Sequence, residues 1–410
     1  MKPSRLARTG RSVLIPLITV LSAFVLAGLV MLVTGNHPLS SYGAIFDGTG
    51  LNWLFPWVTG HNRTIAAQDL QQTLVAAAPL VLTGLSVAFA FRVGLFNIGS
   101  QGQYTVASVI AVWIGTIWGG MNPVLHIVLA IVLAALIGAV WSALAGWLKA
   151  NTGAHEVIST IMLNWVAIWV ASYLFQEGGP LQGKQALGNP VSNTIAGNLH
   201  LPVIWGNPEL QGLDVGVFLA LIAAVLYWAI IRRSTLGYEV RAVGHNPAAA
   251  TASGMSVARS YIVTMAICGA FAGLAAGIDV FGWEFQVSST TISTSEVGFL
   301  GIAVALLGRN TAIGTVAAAL LFGALETGTA AINLNPSAIN PELAPQLTLI
   351  IEGLVVLLVS TDLIAVRLLG LPRKVGWGRP QAVAAARRDT LAADDPALDP
   401  AEALRPEPGL

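Results

Sequence analysis

Long runs of apolar residues recur along the chain, separated by short polar stretches. A helix that spans a bilayer needs about 20 apolar residues, and its backbone must satisfy its own hydrogen bonds in lipid. The pattern therefore predicts an all-α integral membrane protein with about ten transmembrane helices. The predicted spans run approximately over residues 13–33, 70–91, 104–118, 124–148, 157–175, 215–231, 261–281, 297–307, 312–332 and 347–369.

The third and eighth runs are shorter than the others, and polar residues or glycines interrupt the chain beside them. Paired short segments of this kind can mark the solute site of a transporter. Before the third run, the stretch GLFNIGSQGQYTVAS (residues 94–108) carries Asn97, Gln101 and Gln103 among glycines. A polar side chain inside a membrane segment should face the bundle interior or a water-filled cavity. The three amides can thus line a solute path or tie neighbouring helices together.

Composition supports the membrane assignment and excludes several classes of function. The chain is 55% hydrophobic and only 10% charged, with a mean hydropathy of +0.73, whereas an ordinary soluble domain is about 25% charged. The single cysteine, Cys268, excludes a disulfide within the chain, and the histidines lie far apart without the spacing of metal ligands. We therefore expect no metal ion and no cofactor. A net charge of zero and the lack of a basic face argue against nucleic acid as a partner.

Basic residues set the predicted orientation because they concentrate in cytoplasmic loops. With the N-terminus inside, all of the 20 basic residues except Arg63 and Lys184 fall on the cytoplasmic side, and both termini are cytoplasmic. The predicted organisation is a cytoplasmic N-terminus (residues 1–12), a transmembrane domain (13–370) and a disordered cytoplasmic tail (371–410). Within the domain, long loops at about 35–69 and 177–214 are extracellular, and the loop at about 232–260 is cytoplasmic.

The cytoplasmic loop, RRSTLGYEVRAVGHNPAAATASGMSVARS, predicts a short helix outside the membrane. Asn246 is a good N-cap, Pro247 suits the first helical position, and Gly254 can end the helix in a left-handed conformation. The helix would have about two turns, and alanine, serine and threonine dominate its side chains. A helix of small residues can seat in a groove on a soluble partner. The alternative is an amphipathic connector on the lipid surface.

Four motifs resemble one family of membrane proteins. GYEVRAVGHNPAAATASGM is similar to the coupling loop of the permease subunits of binding-protein-dependent ABC importers, in the branch that carries sugars, nucleosides and branched-chain amino acids. GLFNIGSQGQ resembles that branch's asparagine-isoleucine-glycine motif, which Glu-Gly-Gln usually follows. HEVISTIMLNW (residues 155–165) resembles the nucleoside and simple-sugar members most closely, and GFLGIAVALLGRNTAIGTVAAALLFG (298–323) matches the branch's late-helix pattern.

The resemblance spans roughly residues 70–369 and departs from the family in two places. Gln101 stands where relatives commonly carry Glu, although an amide can still donate and accept hydrogen bonds. The extracellular segment around LNWLFPWVTGHNRT does not align with the family.

The resemblance implies a transport subunit that works with several partners. These are a cytoplasmic ABC ATPase subunit, a second permease subunit that is identical or homologous, an extracytoplasmic solute-binding protein or lipoprotein, and membrane lipid. The resemblance also implies a path for a nucleoside or simple sugar, lined by Asn97, Gln101, Gln103, Asn164 and Trp165. The residues implied in coupling to the ATPase are Gly237, Tyr238, Arg241, Gly244, Asn246, Pro247, Ala250 and Gly254.

Five carboxylates leave other interpretations open. Glu326 and Glu352 fall inside predicted helices, where a carboxylate is costly. In the alternative function, a proton-coupled secondary transporter, these two residues would form the proton relay. Asp279, Glu284 and Glu296 flank the outer ends of the seventh and eighth runs, where they are either solvated loop charges or contacts for an external partner.

The motifs of an enzyme are missing from the sequence. The chain has no grouping of Ser, His and Asp, no paired-histidine motif and no carboxylate pair at useful spacing on one helix. GGPLQGKQ (residues 178–185) has the glycine and lysine spacing of a phosphate-binding loop, but Gln185 replaces the required Ser or Thr, and the loop is predicted outside the cell. The energy for transport must therefore come from another subunit or from an ion gradient.

Overall fold

The computed structural model describes residues 5–33, 37–117, 120–184, 188–207, 211–332 and 344–361. Helices make up almost all of this part. In chain order they are α1 (Arg5–Val33), α2 (Pro38–Gly48), α3 (Gly60–Val93), α4 (Ser100–Thr116), α5 (Pro123–Thr152), α6 (Glu156–Phe175), α7 (Gly216–Arg233), α8 (Thr235–His245), α9 (Pro247–Ala252), α10 (Val257–Asp279), α11 (Ser289–Thr294), α12 (Val297–Leu307), α13 (Ala312–Ile332) and α14 (Ala344–Thr361). A π-helical turn, Val280–Glu284, extends α10, and two short strands, β1 (Val203–Trp205) and β2 (Leu213–Asp214), pair antiparallel.

The all-helical membrane fold is confirmed. Each of the ten predicted runs contains a helix, and eight spans within the described residues are long and apolar enough to cross a bilayer. The length criterion leaves out α4, which has only 17 residues. The predicted tail (371–410), and residues 362–369 of the last run, lie outside the described residues.

Helices α3 and α4 form the centre of the bundle, and α10 packs against both. Nearly all side chains of α3 between Leu70 and Val93 are buried. Helices α5, α6 and α7 lie further out and expose large apolar side chains such as Leu136, Trp169 and Val225. Lipid can cover such a surface because it is as apolar as the side chains themselves.

Small residues allow α5 and α10 to approach each other closely. A Cβ atom at Gly269 would lie 2.0 Å from the carbonyl oxygen of Gly138, and a Cβ atom at Gly273 would lie 2.3 Å from the carbonyl oxygen of Ala134. Apolar burial does not drive helices together in lipid, so helix association depends on close van der Waals packing of this kind. The pair therefore supplies a rigid wall for the bundle.

The two ends of the bundle differ in structure. The coupling end carries α8 and α9, the C-terminus of α3 and the turn between α12 and α13. The distal end carries two segments, one at residues 37–59 and one whose described residues are 176–184, 188–207 and 211–215. These two segments meet where the rings of Trp53 and Trp205 contact each other, with 5.1 Å between centroids. The second segment also bonds to the π-helical turn, since the Leu201 N–H donates to the carbonyl oxygen of Phe281.

The short helix predicted outside the membrane forms as α9, with the expected caps. The Asn246 side chain accepts a hydrogen bond from the N–H of Ala249 at 3.1 Å, and Pro247 occupies the first helical position. Gly254 follows the helix with a φ of +82°. Helix α8 precedes α9 directly, and Ser234 caps its N-terminus by accepting from the N–H of Gly237. The two helices thus form one cap at the coupling end.

Asp214 is a buried carboxylate at the distal end, between β2 and α7. Its Oδ1 accepts a hydrogen bond from the N–H of Gly216, the first residue of α7. Burial raises the pKa of Asp214 from 3.8 to about 6, although the bond from Gly216 acts in the opposite direction. The folded protein therefore holds this proton more tightly than the unfolded chain does.

We expect Asp214→Asn to flatten the pH dependence of stability. In the wild type, the stabilisation from the raised pKa is complete below about pH 3.8 and is lost as the pH rises through about 6. The asparagine variant lacks this titration, so its unfolding temperature in detergent should vary less between those pH values. Asp47→Asn, at an exposed position of the same end, is the control and should keep the wild-type slope. An unchanged slope in Asp214→Asn would contradict the assignment.

Candidate functional site

The chain between α3 and α4 turns back into the bundle. Gly94 follows the last residue of α3 with a φ of +82°, a left-handed conformation that glycine adopts without strain. Residues 94–99 then run inward, and Asn97 donates a hydrogen bond to Ser86 of α3. Ser86 lies seven residues before the end of α3, which corresponds to about 10 Å along the helix. Helix α4 therefore begins inside a hydrocarbon layer of about 30 Å, not at its surface.

Asn97 and Gln103 form a reciprocal amide pair. Gln103 Nε2 donates to Asn97 Oδ1 at 2.9 Å, and Asn97 Nδ2 donates to Gln103 Oε1 at 3.2 Å. Both side chains are almost fully buried. The pair connects the inward turn to the first turn of α4.

Asn164 of α6 holds the start of α4 from the other side. Its Oδ1 accepts a hydrogen bond from the N–H of Gly102 at 2.8 Å, and its Nδ2 donates to the carbonyl oxygen of Ile98 at 2.9 Å. A Cβ atom at Gly102 would lie 2.7 Å from Asn164 Oδ1, so glycine is needed for this approach. One side chain thus satisfies two backbone groups across the helix break.

Gln101 joins α4 to α12, the other helix that begins inside the bundle. Its Oε1 accepts from the N–H of Gly298 at 2.8 Å, in the first turn of α12. A Cβ atom at Gly298 would lie 2.3 Å from the Cα of Gln101, so a larger residue cannot occupy this position. The Thr83 hydroxyl of α3 donates to the carbonyl oxygen of Val297 at 3.1 Å. Discontinuous helices that meet inside a bundle are a feature of transporter solute sites.

The structure brings four of the five predicted path residues into this hydrogen-bonded network: Asn97, Gln101, Gln103 and Asn164. Their bonds tie helices together, which is one of the two predicted interpretations. Trp165 points away from the network and is 55% exposed. Asn164 and Trp165 both border a groove of about 290 Å³ between α6 and the α11–α12 segment. A role for the five residues in lining the path remains a prediction.

A larger cavity of about 660 Å³ lies among α10, α11, α12, α13 and α14. Five carboxylates line it: Asp279 of α10, Glu284 of the π-helical turn, Glu296 directly before α12, Glu326 of α13 and Glu352 of α14. Hydroxyl groups line it as well, from Ser288, Thr290, Thr291, Thr294, Ser295 and Thr329. Ser295 and Glu296 border both the cavity and the groove, so the two spaces adjoin at the start of α12.

At the coupling end, two of the predicted coupling residues are glycines that allow close contact. A Cβ atom at Gly237 would lie 2.1 Å from the carbonyl oxygen of Ile230, where α8 packs on the end of α7. A Cβ atom at Gly244 would lie 2.2 Å from the carbonyl oxygen of Arg92, at the end of α3. Helix α8 therefore contacts α3 directly before the inward turn.

The other predicted coupling residues divide between the surface and the interior. Asn246, Pro247 and Gly254 are exposed, and Tyr238 is 60% exposed. Arg241 is half-buried, and its Nη1 has no hydrogen-bond partner among the described residues. Ala250 is only 3% exposed, so it packs inside its own chain. The neighbouring alanines, 248 and 249, face outward instead.

The end of α3 also holds the turn between α12 and α13. The Arg92 guanidinium donates to the carbonyl oxygen of Asn310, and the Tyr227 hydroxyl donates to the same oxygen at 2.8 Å. Arg309 and Asn310 both have positive φ, at +52° and +54°, which is uncommon for residues other than glycine. Two donors on one carbonyl oxygen stabilise this unusual turn.

Comparison with known proteins shows the family of the chain. Residues 70–360 match the family model described as the branched-chain amino acid transport system / permease component. The chain belongs to this permease family. It is 38% identical to the guanosine ABC transporter permease protein NupP of Bacillus subtilis, over 77% of this chain and 85% of that protein.

The alignments with two other relatives of this permease cover a larger share of the chain than the alignment with NupP does. It is 32% identical to the nucleoside ABC transporter permease protein NupB of Lactococcus lactis, over 86% of this chain and 92% of that one. It is 30% identical to the glucose ABC transporter permease protein TsgB13 of Haloferax volcanii, over 85% and 87% of the two chains. No solved structure matches the chain. The matches confirm the resemblance drawn from the four motifs. They also confirm that the chain is a multi-pass protein of the cell membrane.

The acidic cavity of this permease was not predicted from the sequence. Asp279, Glu284 and Glu296 were predicted to be either solvated loop charges or contacts for an external partner, and Glu326 and Glu352 were considered apart from them, because the five residues lie in different segments. One signal was present in the sequence, since a carboxylate inside an apolar helix must face a partner, a cavity or water. That signal predicts that a single side chain faces inward, but it does not predict which other segments this side chain meets.

We expect Asn164→Leu to lower the stability of the permease by roughly 1–3 kcal/mol, because it removes two hydrogen bonds within the membrane, each worth about 0.6 and at most about 1.7 kcal/mol. The measurement is thermal unfolding of the purified protein in detergent. Trp165→Leu is the control, since it changes the adjacent, exposed residue and leaves the network intact. Equal losses in both variants would contradict the role of Asn164.

Proposed function

We propose that the chain is the membrane-spanning permease subunit of an ABC importer for nucleosides, and that it transmits movement of a separate ATPase to a solute path between discontinuous helices. The observation that carries the proposal is a continuous set of contacts from the exposed helix α9 to both discontinuous helices, α4 and α12. The named relatives are ABC transporter permeases, and two of them carry guanosine or nucleoside in their names. Glucose, named for a third relative, is the second candidate solute.

The first contacts run from α9 to α3. Helix α9 follows α8 after the single residue Asn246, so the two move together. The backbone of α8 at Gly244 lies against the carbonyl group of Arg92, with no room for a side chain between them. A push on α9 therefore reaches the end of α3 without passing through a flexible side chain.

From the end of α3, the contacts divide towards the two breaks. Gly94 and the inward turn lead to α4, whose start is held by Asn164 and Gln101. The Arg92 side chain leads to the turn before α13 and thus to the C-terminal end of α12. Both discontinuous helices are connected to the same point, so one movement at the coupling end can displace both.

Charge supports a cytoplasmic location of the coupling end. Within the described residues, the basic side chains at or near that end from α3 onward are Arg92, Lys149, Arg232, Arg233, Arg241, Arg259 and Arg309. Arg63 and Lys184 lie towards the distal end. Basic residues favour the cytoplasmic side. The two termini would then be cytoplasmic, and the distal end would face the solute-binding protein.

The surfaces match the proposed partners. Helix α9 presents the small side chains of Ala248, Ala249 and Thr251, which allow close seating on an ATPase subunit, and Tyr238 of α8 is exposed as well. Helix α6 presents Trp165 and Trp169 next to the groove. A second permease facing this side would enclose the groove as a central path, with lipid covering the remaining apolar surface.

The proposal is tested by uptake into proteoliposomes that contain the permease, its ATPase partner and its binding protein. We expect guanosine uptake to require ATP and to disappear when the ATPase carries a substitution at its phosphate-binding lysine. A proton gradient without ATP should give no uptake above background. Uptake driven by the proton gradient alone would overturn the proposal in favour of the secondary-transporter alternative.

We expect Ala249→Trp to reduce ATP-driven uptake roughly tenfold or more, because a bulky side chain on the exposed face of α9 overpacks the ATPase contact by about 1–3 kcal/mol. Co-purification of the ATPase should fall in parallel, while the amount of permease in the membrane should not change. Ala196→Trp, at an exposed alanine of the distal end, is the matched control for ATPase co-purification. Normal uptake in Ala249→Trp would mean that α9 is only a connector.

A further inference from the structure

The acidic cavity contains five carboxylates and no basic residue among its lining side chains. Ionised carboxylates only accept hydrogen bonds. One of the five is paired, because the Tyr104 hydroxyl donates to Asp279. The cavity thus offers many acceptors and few donors. A molecule that fills it must bring donors of its own.

Glu352 is the clearest case of an acceptor without a donor. It is only 6% exposed, lines the cavity and has no hydrogen bond or ion pair with any described residue. Glu326 lines the same cavity from the facing helix α13, where its carboxylate is exposed to this space and likewise has no such partner. A polar group that is buried without a partner, as Glu352 is, carries a desolvation cost. This cost points to a ligand that completes the site.

Size and spacing favour an organic solute over a metal ion. The described residues include no group of three or more His, Cys, Asp or Glu side chains that could hold a metal ion. The volume of about 660 Å³ lies within the range of about 300–1,000 Å³ that is typical of small-molecule sites. The Thr294 and Thr329 hydroxyls already donate to the carbonyl oxygens of Thr290 and Leu325, so towards a solute they add further acceptors.

We propose that this cavity is a solute-binding site of the permease, in which Glu352 and Glu326 accept hydrogen bonds from the paired hydroxyl groups of a neutral solute, the ribose of a nucleoside or the ring of a simple sugar. The inference rests on the proposed transport function and adds the location and the selectivity of the site. A carboxylate that accepts from a ribose hydroxyl is a known mode of recognition. A nucleotide is excluded, because no basic side chain lines the cavity to pair with its phosphate.

The position of the cavity gives the solute a route onward. Ser295 and Glu296, directly before α12, border both the acidic cavity and the groove beside Asn164 and Trp165. A solute in the cavity is therefore separated from the groove by the layer that these two residues form. Movement of α12, which the contacts from the coupling end can produce, changes the boundary between the two spaces.

The test measures equilibrium binding to the assembled permease–ATPase complex in nanodiscs, without the binding protein, so that only the membrane site selects. Tritiated guanosine is the probe, and guanosine, 2′,3′-dideoxyguanosine and guanosine 5′-monophosphate are the competitors. We expect the wild type to prefer guanosine over each of the other two by about tenfold or more, because the dideoxy compound lacks both hydroxyl groups and the monophosphate brings a charge that no basic side chain of the cavity can pair with. A complex that carries sugars instead would show the same loss with glucose and a deoxyglucose.

Glu352→Gln and Glu326→Gln should each reduce the preference for guanosine over the dideoxy compound by roughly tenfold, and should weaken the exclusion of the monophosphate. The preference is a ratio, so it does not depend on how much folded protein each preparation contains. Two variants on different helices guard against a folding defect in one of them. Glu177→Gln, an exposed carboxylate outside the cavity, is the matched control and should keep the wild-type ratios.

Unchanged ratios in both cavity variants would overturn the inference, and so would a wild-type complex that binds the dideoxy compound or the monophosphate as well as guanosine. If ATP-driven uptake persists in either case, the proposed function stands and only the site is wrong. If the wild type shows no ATP-driven uptake of any nucleoside or sugar, the proposed function fails, and the inference fails with it.

Discussion

The two hydrogen bonds of Asn164 hold the start of α4 inside the bundle, and the rest of the site depends on that position. A helix N-terminus leaves several N–H groups without intrahelical partners, and lipid cannot satisfy them. Asn164 provides an acceptor for Gly102 and a donor for Ile98, on the two sides of the break. An amide can do both at once, whereas an ionised carboxylate only accepts and would leave one of the two backbone groups unpaired.

The position of α4 determines what its later residues meet. Tyr104, the residue after Gln103, donates a hydrogen bond to Asp279 of α10 at the edge of the acidic cavity. Gln101 fixes the first turn of α12 through Gly298, and the residues just before α12 separate the cavity from the groove. A displacement of α4 would therefore alter the pairing of a cavity carboxylate and the boundary of both spaces together. The break is accordingly held by side chains from α3, α4 and α6: Ser86, Gln101 and Asn164.

The sequence was sufficient for features that depend on neighbouring residues. Apolar runs located the helices, and the caps Asn246 and Gly254 located α9 because capping involves residues a few positions apart. Contacts between distant segments could not be derived in this way. Nothing periodic links Gln101 to Gly298, or Gly244 to Arg92, and the five carboxylates converge only because their helices pack side by side. Ala250 likewise looked like its neighbours in the sequence, and only the packing of α8 and α10 around it makes it a buried residue.

The chain uses amides and carboxylates for different purposes, and the difference also accounts for glutamine at position 101. Where the protein must satisfy its own backbone, at the break, the side chains are Asn97, Gln101, Gln103 and Asn164, which carry donors and acceptors without charge. A glutamate at position 101 could still accept from Gly298, but its charge would have no basic partner in this buried network and would be costly. Where acceptors have no donor among the described residues, as at Glu326 and Glu352 in the cavity, the side chains are carboxylates. Unfilled acceptors persist in a folded structure at a cost, so they are expected where a ligand, and not the protein, supplies the missing donors.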